Sequence, residues 1–369
     1  MVTGSDQLFM ERALFLAERG RGRTTPNPLV GAVVVSDAGI VVGQGAHLVA
    51  GGPHAEVVAL DAAGARARGA TLYCTLEPCS HTGRTGPCTV RIAAAGIRRV
   101  VAAVRDPNPQ VSGQGFAYLR ERGVGVDEGL CEQAARVQNR PFLTWITKGR
   151  PFVILKAATS ADGFVGLVDK AVKLTGPEAD RFFHRQRAAV DAIAVGSGTV
   201  LVDDPFLTAR GAFRHRPLTR VVFDWRGRVP RSARLFSTLA AGPVIMMVSA
   251  HVVLAAQAHF NELTQRGVIV QGLEQHDIAA ALKVLASRET TSLLVEGGPL
   301  LHTAFADAGL VDCVQWVVTS RVLGTGVRMA PVIGAAPPLT SCDRRTLKLG
   351  GDLLIEFDVH GTDRNYRTH

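Results

Sequence analysis

The sequence predicts two α/β domains, and three observations support that class. The chain has 369 residues, enough for two hydrophobic cores of ordinary size. Apolar runs typical of strands alternate with helical patterns through both halves, an order that favours mixed or parallel sheets covered by helices. Between residues 139 and 149 the pattern changes to a short, basic, proline-flanked stretch, N-R-P-F-L-T-W-I-T-K-G. We therefore predict one domain over residues 1–148 and a second over residues 149–369.

Composition indicates a globular protein and narrows its function. Hydrophobic residues make up 47% of the chain, yet no apolar run reaches the ~18 residues of a membrane-spanning helix. The net charge of +9 is spread evenly: residues 1–148 carry 16 basic and 12 acidic residues, an excess of 4, and the rest carries 25 and 20, an excess of 5. Because nucleic-acid-binding proteins usually cluster their basic residues, small anionic ligands explain this charge at least as well. Six cysteines without a secretory segment indicate a cytoplasmic protein.

The first half begins with a helix capped by Ser5 or Asp6 and stopped by Gly20. The motif T-T-P-N-P follows, in which two prolines fix an extended turn that presents Asn27. On the residues alone, Asn27 serves equally well as a turn residue that bonds its own backbone. The runs V-G-A-V-V-V-S and I-V-V-G-Q-G-A-H then predict two strands joined by a tight turn.

The stretch from His54 to Cys88 predicts a metal site. Pro53 suits the first position of a helix, so we expect His54 and Glu56 in its first turn. Residues two apart on a helix point about 200° from each other, so one ion cannot readily bind both, whereas a carboxylate can still reach a bound water. Cys79, after the strand A-T-L-Y-C-T-L, and Cys88, at the start of the next helix, complete a set typical of zinc. Three protein ligands leave a fourth position for water.

Two other interpretations of the cysteines are less favourable. A structural zinc site would need a fourth ligand from Cys74, His81 or Glu56, but such sites usually have paired, closely spaced ligands. Disulfides are disfavoured by the small number of cysteines and the expected reducing compartment. The remaining cysteines are expected to be ordinary buried thiols: Cys131, Cys313 and Cys342.

Further elements alternate along the chain. The first half continues with a helix from Cys88 to Gly96, the strand R-R-V-V-A-A-V, a D-P-N-P turn, a helix from Gly115 and a short strand near Val124. In the second half the strand patterns are F-V-I-L-K-A-A, D-A-I-A-V-G, R-V-V-F-D, P-V-I-M-M-V-S, V-I-V-Q-G, S-L-L-V-E-G-G and C-V-Q-W-V-V-T-S. Helical patterns cover residues 176–189 and 278–285. At Gly297 and Gly298 a strand turns into a helix whose first N–H groups could bind phosphate, although glycine pairs at strand ends are usually only turns.

The motif H-A-E, followed by P-C and a later cysteine, matches the signature of zinc-dependent nucleobase deaminases. Eight residues separate Cys79 from Cys88 instead of the common two. The longer loop, S-H-T-G-R-T-G-P-C, resembles that of the bifunctional deaminase/reductases of riboflavin biosynthesis, which usually have Pro at the position of Gly86. The segments K-A-A-T-S-A-D-G, V-G-S-G-T-V-L-V-D-D-P and V-E-G-G resemble the reductase half of the same enzymes. The resemblance thus covers nearly the whole chain, in the same domain order.

This resemblance implies a three-layer, cytidine-deaminase-like domain followed by a dihydrofolate-reductase-like domain, with zinc and NADPH as cofactors. In the first domain Zn²⁺ would activate a water and Glu56 would move its proton, removing an amine from a phosphorylated diaminopyrimidine ribosylamine. In the second domain NADPH would reduce the ribosyl group to ribityl. The implied contacts to the deaminase substrate are Asn27, His47, Arg84, Asp106 and Asn108. The implied cofactor contacts are Thr159, Thr199, Asp203, Gly297 and Gly298, and the contacts to the phosphorylated ribose are Lys156, Arg187, Leu207, Arg210 and Glu296.

Two departures leave alternatives open. The chain has K-L-T from Lys173 where the family commonly has W-I-T, so a tryptophan that helps to cover the cofactor is missing; Trp225 stands where a smaller residue is usual. One alternative is a zinc deaminase that acts on another nucleotide or a nucleic-acid base and carries a non-catalytic second domain, which for nucleic acid would be a binding domain. The other is a deaminase fused to an inactive reductase domain that serves in oligomerisation. A nucleic-acid deaminase should show a basic track and stacking aromatic residues, yet aromatic residues are only 6% of the chain. We therefore expect small-molecule substrates, neither nucleic-acid nor membrane partners, and a homo-oligomer.

Overall fold

The computed structural model of the chain describes residues 4–80, 86–108, 111–274, 276–329 and 344–359. The chain divides into two compact units, Met1–Gly149 and Arg150–His369. Each unit has its own sheet with helices around it, which confirms the predicted α/β class. Within the described ranges, no helix combines the length and apolar character that a membrane crossing requires.

Helices and strands alternate through the first unit, as the sequence predicts. The helices are α1 Gly4–Ala17, α2 Ala55–Ala63, α3 Cys88–Ala94, α4 Gln114–Glu121, α5 Glu132–Gln138 and α6 Arg140–Lys148, with 3₁₀ turns at Glu18–Gly20 and Gly64–Ala67. The strands are β1 Gly31–Val35, β2 Val41–Ala46, β3 Thr71–Cys74, β4 Arg99–Ala102 and β5 Gly125–Glu128.

The described strands of the first unit form one mixed sheet in the order β2-β1-β3-β4-β5. Strand β1 runs antiparallel to both neighbours, whereas β3, β4 and β5 are parallel. A Cβ on Gly31 would meet Ala13 of α1, while one on Gly45, which pairs with Ala32, would meet Ala55 of α2. Because Gly31 and Ala32 point to opposite faces of the strand, α1 and α2 cover opposite faces of the sheet. The unit therefore has three layers.

The structure corrects three details of the predicted first unit. Helix α2 begins at Ala55, and His54 is its extended N-cap residue with φ −72° and ψ 157°, so only Glu56 lies in the first turn. Asp6 is not a cap, because it lies inside α1 and its buried carboxylate binds Tyr73 and Arg99. The stretch after Asn139 is the helix α6, in which Leu143 and Thr144 are buried and Pro141 occupies a position in the first turn that needs no N–H partner.

Helices and strands also alternate through most of the second unit. The helices are α7 Pro177–Ala189, α8 Ser197–Asp203, α9 Ala250–Ala255, α10 Gln257–Gln265, α11 Ile278–Ser287 and α12 Pro299–Asp307, with a 3₁₀ segment at Arg234–Ala241. The strands are β6 Phe152–Thr159, β7 Phe164–Gly166, β8 Ala192–Gly196, β9 Thr219–Phe223, β10 Val244–Ser249, β11 Ile269–Leu273, β12 Ser292–Val295, β13 Cys313–Val318, β14 Val327–Arg328, β15 Arg344–Leu349 and β16 Asp352–Asp358.

The main sheet of the second unit, within the described residues, has nine strands in the order β11-β10-β9-β8-β12-β6-β13-β16-β15. The strands from β11 to β13 are parallel, and β16 and β15 add an antiparallel edge. Strand β10 contributes Ile245 and Met247 to one apolar cluster and Met246 to another. The first cluster includes residues of α11 and α12, and the second includes residues of α10. Helices therefore cover both faces, and the sequence pattern did not reveal β15 and β16.

The parallel arrangement places the turns that follow β6, β8 and β12 at one edge of the sheet. Thr159 ends β6, Gly196 ends β8, and Glu296 follows the last residue of β12. Because β12 lies between β6 and β8 and runs parallel to both, these three residues share the carboxyl edge of the sheet. Ligands of open α/β sheets bind at this edge.

Candidate functional site

Three side chains predicted to bind zinc meet in the first unit. His54 Nδ1 lies 3.1 Å from Cys88 Sγ and 3.5 Å from Cys79 Sγ, and the ligand atoms of all three residues lie within 4.8 Å of one another. With Zn–S bonds of about 2.3 Å and Zn–N bonds of about 2.0 Å, tetrahedral angles require ligand separations of about 3.5 to 3.8 Å. The three atoms are therefore close to the spacing that one zinc ion needs.

The local fold brings these ligands together. The loop that leaves β3 carries Cys79, and α3 starts at Cys88, whose backbone N–H donates to Cys79 Sγ at 3.4 Å. Hydrogen bonding to the Cys88 thiol and to His54 lowers the pKa of Cys79 to about 4. The hydrogen bond to Cys79 raises the pKa of His54. A thiolate is thus stable here, which is the form that binds a metal.

Glu56 is buried beside this cluster. Only 4% of its surface is exposed, and burial raises the pKa of its carboxyl group to about 7. Its Oε2 has no hydrogen-bond partner among the residues that the structure describes. A buried carboxylate oxygen without a hydrogen-bond partner destabilises the fold unless a bound ligand donates a hydrogen bond to it. Glu56 therefore has the environment of a proton-transfer group, and it lies outside the ligand cluster.

A cavity of about 370 Å³ opens at the cluster and is lined by His54, Glu56 and Cys79. Asn27 and His47 also line it, with Asn27 Nδ2 3.0 Å from His47 Nε2. His47 Nδ1 lies 3.0 Å from the Pro53 carbonyl, and burial lowers the pKa of His47. A neutral imidazole that donates through Nδ1 and accepts at Nε2 satisfies both contacts. The structure thus brings these two predicted substrate residues together at the metal cluster.

Asp106 and Asn108, from the motif D-P-N-P, are the next two predicted substrate residues. Asp106 lines the cavity, and its Oδ1 accepts the backbone N–H of Asn108 at 2.9 Å. Arg84 lies outside the described residues. The carboxylate of Glu77, which also lines the cavity, accepts the backbone N–H of Asp106 at 3.1 Å. Sequence reasoning missed Glu77, although an acidic residue in the buried segment T-L-E-P-C was an available signal.

Asn139 is a second residue that sequence reasoning missed. Its side chain accepts the N–H of Leu29 at 2.7 Å and donates to the Leu29 carbonyl at 2.9 Å. Leu29 lies two residues after Asn27, so this pair of hydrogen bonds fixes the turn that carries Asn27. The contact spans 110 residues, and nothing in the local sequence indicates it.

In the second unit, the predicted cofactor residues occupy the carboxyl edge of the sheet. The Gly297 carbonyl accepts the N–H of Gly196 at 2.9 Å, and Gly297 has a φ of +131°, which favours glycine. A Cβ on Gly298 would lie 3.3 Å from Thr199 Oγ1. Thr159 is buried and accepts a hydrogen bond from Trp316 Nε1 at 2.9 Å. Asp203 ends α8, four residues after Thr199.

The residues predicted to hold the phosphorylated ribose form a charged cluster at the same edge. Arg187 Nε and Nη2 donate to the two oxygens of Glu296 at 2.7 and 2.5 Å, and Nη1 donates to the Thr208 carbonyl at 3.1 Å. Burial alone would raise the pKa of Glu296, but Arg187 and Lys156 outweigh burial and hold it below its usual range.

Lys156 and Arg210, the other cations of this cluster, make fewer polar contacts than Arg187 within the described residues. Lys156 Nζ lies 4.7 Å from the ring centroid of Phe183, and within the described residues it has no hydrogen-bond or ion-pair partner. Arg210 is exposed and donates to Thr208 Oγ1 at 3.2 Å. Leu207 is buried three residues before Arg210.

The structure accounts for the two residues that depart from the family pattern. Lys173 Nζ pairs with Asp180 Oδ2 at 2.5 Å, and Thr175 Oγ1 donates to the other oxygen of Asp180 at 2.7 Å. Lys173, which precedes α7, thus forms an ion pair with the first turn of that helix. Trp225, just after β9, stacks on His276 with centroids 5.2 Å apart and planes 15° apart.

Comparisons with known proteins agree over the whole chain. A family model described as the RibD C-terminal domain matches residues 151–353, and one described as the cytidine and deoxycytidylate deaminase zinc-binding region matches residues 3–104. The riboflavin biosynthesis protein RibD of Aquifex aeolicus is 40% identical over 360 residues, which cover 97% of this chain and 99% of that protein.

Two solved structures are similar over almost their full length. RibD of Acinetobacter baumannii superposes with a TM-score of 0.84 at 34% identity, covering 96% of this chain and 98% of that one. A Thermotoga maritima protein, described as a diaminohydroxyphosphoribosylaminopyrimidine deaminase/5-amino-6-(5-phosphoribosylamino)uracil reductase, gives 0.82 at 34% identity, with coverages of 95% and 98%.

Proposed function

The chain belongs to the RibD family of riboflavin biosynthesis proteins, and from that premise we propose that residues 1–148 carry its deaminase and residues 149–369 its reductase. It is a bifunctional enzyme that deaminates the diaminopyrimidine ribosylamine phosphate and then reduces the ribosyl group to ribityl with NADPH. The observation that carries the assignment of the first half is the cluster of His54, Cys79 and Cys88 beside the unpartnered Oε2 of Glu56.

We propose that these three residues hold the zinc and that Glu56 moves the proton. When bound, zinc supplies a nucleophilic water at neutral pH. Glu56 takes a proton from the water that attacks the amine-bearing pyrimidine carbon and returns it to the amine nitrogen. The C–N bond then breaks, ammonia leaves and the oxygen stays on the ring. Asn27, His47, Arg84, Asp106 and Asn108 are proposed to hold the substrate in this cavity.

In the second half, we propose that the carboxyl edge of the sheet holds the cofactor next to the ribose. NADPH, when bound, supplies the hydride that reduces C1′. Thr159, Thr199, Asp203, Gly297 and Gly298 are the proposed cofactor contacts. Lys156, Leu207, Arg210 and Glu296 are the proposed contacts to the phosphorylated ribose. Arg187 acts on the substrate through Glu296, because its guanidinium holds both oxygens of that carboxylate.

One experiment tests both activities together. The zinc-loaded protein is incubated with the diaminopyrimidine ribosylamine phosphate, with and without NADPH, and products are identified by mass. Without NADPH we expect one product, in which an amine is replaced by oxygen, together with ammonia. With NADPH the product should gain two hydrogens. A deaminated product that NADPH leaves unchanged would support the alternative of a non-catalytic second domain.

The departure at Lys173 gives a prediction about the cofactor. We expect the native chain to bind NADPH, and Lys173→Trp to tighten binding or leave it unchanged, by at most ~1–2 kcal/mol, since an indole adds one flat contact. The ion pair between Lys173 and Asp180 lies at the surface and contributes little to the free energy of unfolding, so its loss should not harm the fold. Calorimetry at low salt measures the Kd, with Lys170→Trp as the control for an added indole. Binding weakened more than tenfold would instead identify Lys173 as a cofactor ligand.

We propose that the enzyme is a homo-oligomer of the cytoplasm. The described cysteines are free thiols, as a reducing compartment requires. Leu8 and Phe15, seven residues apart on α1, are 66% and 74% exposed, and such apolar surface suits a contact between copies. Sedimentation of the native chain should give a mass above one chain, and Phe15→Lys should lower it. A monomeric native chain would contradict this proposal.

A further inference from the structure

Glu77 makes an unusual set of contacts. Only 3% of its surface is exposed, and its carboxylate accepts four backbone N–H groups. Oε2 binds the N–H groups of Asp106 at 3.1 Å and Gly113 at 3.0 Å. Oε1 binds those of Gly115 at 2.9 Å and Phe116 at 3.3 Å. An ionised carboxylate accepts about four hydrogen bonds, so this one is saturated by a single segment of backbone.

Core packing alone does not require a carboxylate at this position. Burying a carboxylate is costly, and in the described part of the chain no ion pair involves Glu77. Its charge is compensated by backbone N–H groups, which form the stronger, charge-assisted type of hydrogen bond. An apolar side chain could fill the same volume without that cost. The carboxylate therefore holds Asp106 in a fixed position relative to Gly113, Gly115 and Phe116.

The contacts join two parts of the deaminase cavity. Glu77 lies two residues before the zinc ligand Cys79, and it binds the start of the turn that carries Asp106 and Asn108. The approach is close, because a Cβ on Gly115 would lie 2.1 Å from the Pro78 carbonyl oxygen. We propose that Glu77 is a positioning residue of the deaminase, which holds the substrate-binding turn at a fixed distance from the metal ligands. This inference rests on the proposed function of Asp106 and Asn108.

Glu77→Gln tests the inference with almost no change in volume. The new NH₂ group would face two backbone N–H donors, so two of the four hydrogen bonds are lost and the turn is released. Because Asp106 and Asn108 bind substrate rather than move protons, we expect KM to rise about tenfold while kcat stays within about threefold. Zinc content should be unchanged. Hydrogen exchange at the amides of Asp106, Gly113, Gly115 and Phe116 should be faster.

Asp6→Asn is the matched control. Asp6 is also a buried carboxylate of the first unit, but it binds Tyr73 and Arg99. The same acid-to-amide change should lower the melting temperature and leave both KM and the exchange of those four amides unchanged. If Glu77→Gln does not fold, Glu77→Asp tests the same hydrogen bonds, because its shorter side chain keeps the charge but cannot reach all four N–H groups.

The outcomes separate this inference from the proposed function. A raised KM with zinc retained, in Glu77→Gln or in Glu77→Asp, supports the positioning role. An unchanged KM in the variant that folds, or exchange no faster than in the native protein, overturns that role. A native, zinc-loaded protein that releases no ammonia overturns the proposed function instead, and the exchange measurement then still decides whether Glu77 holds the turn.

Discussion

Glu56→Gln is expected to keep its zinc and to lose about 10²–10⁴-fold in deaminase turnover, the range that one general acid–base group contributes. The carboxylate is not one of the three clustered ligands, so its loss should leave the metal site intact. The fold should not suffer either, because an amide costs less to bury than an unpartnered carboxylate. Zinc content by elemental analysis, ammonia release and the melting temperature together check this result.

Cys88→Ala is the contrasting variant for the same experiment. It removes a ligand, so both zinc and ammonia release should be lost. Reduction of the deaminated product by NADPH should persist in both variants, since the reductase is proposed to lie in the other unit. The role given to Glu56 would be wrong if Glu56→Gln emptied the metal site in the same way as Cys88→Ala.

The cluster of His54, Cys79 and Cys88 could be predicted because its signal is local and chemical. Histidine and cysteine are the usual zinc ligands, and the motifs H-A-E and P-C match the deaminase signature although the cysteines are farther apart than usual. The start of α2 was less predictable. Pro53 is compatible with the first helical residue and also with the residue before an N-cap, and the extended conformation of His54 selects the second.

The partners of Glu77 and Asn139 could not be predicted, because they are backbone groups far along the chain. Glu77 binds N–H groups 29 to 39 residues away, and Asn139 binds Leu29 over 110 residues. Backbone N–H and carbonyl groups are present at every residue, so the sequence does not indicate which of them a side chain will meet. Only the sheet order, which brings these segments together, determines the pairing.

The charged cluster of the second unit shows the same limit. The resemblance to riboflavin enzymes indicated Lys156, Arg187 and Glu296 as one group, whereas periodicity alone gave only strands and turns. The resemblance did not indicate that Arg187 would pair with Glu296, 109 residues away, instead of remaining open to a phosphate.

Arg187→Met is expected to destabilise the second unit by about 3 kcal/mol and to abolish reduction of the deaminated product. The side chains of Arg187 and Glu296 are only 17% and 8% exposed, and removing one partner of a buried ion pair leaves an uncompensated charge. Arg181→Met on the same helix is the control. Its pair with Glu178 is exposed, at 63% and 46%, so its loss should cost less than about 1 kcal/mol.

The pH dependence of this effect follows from the pKa of Glu296. In the native protein Arg187 and Lys156 hold that pKa low. The contribution of the ion pair to the free energy of unfolding is therefore fully present at pH values above the ordinary carboxyl pKa, and it is lost only as the pH falls through the lowered pKa of Glu296. Without Arg187, burial raises the pKa of Glu296. The folded variant is then least stable at high pH, where Glu296 must be buried in its ionised form. The stability deficit of Arg187→Met should therefore be larger at pH 8 than at pH 5, measured by urea unfolding, while that of Arg181→Met stays constant. A deficit that is equal at both pH values would show that the pair contributes packing rather than charge compensation.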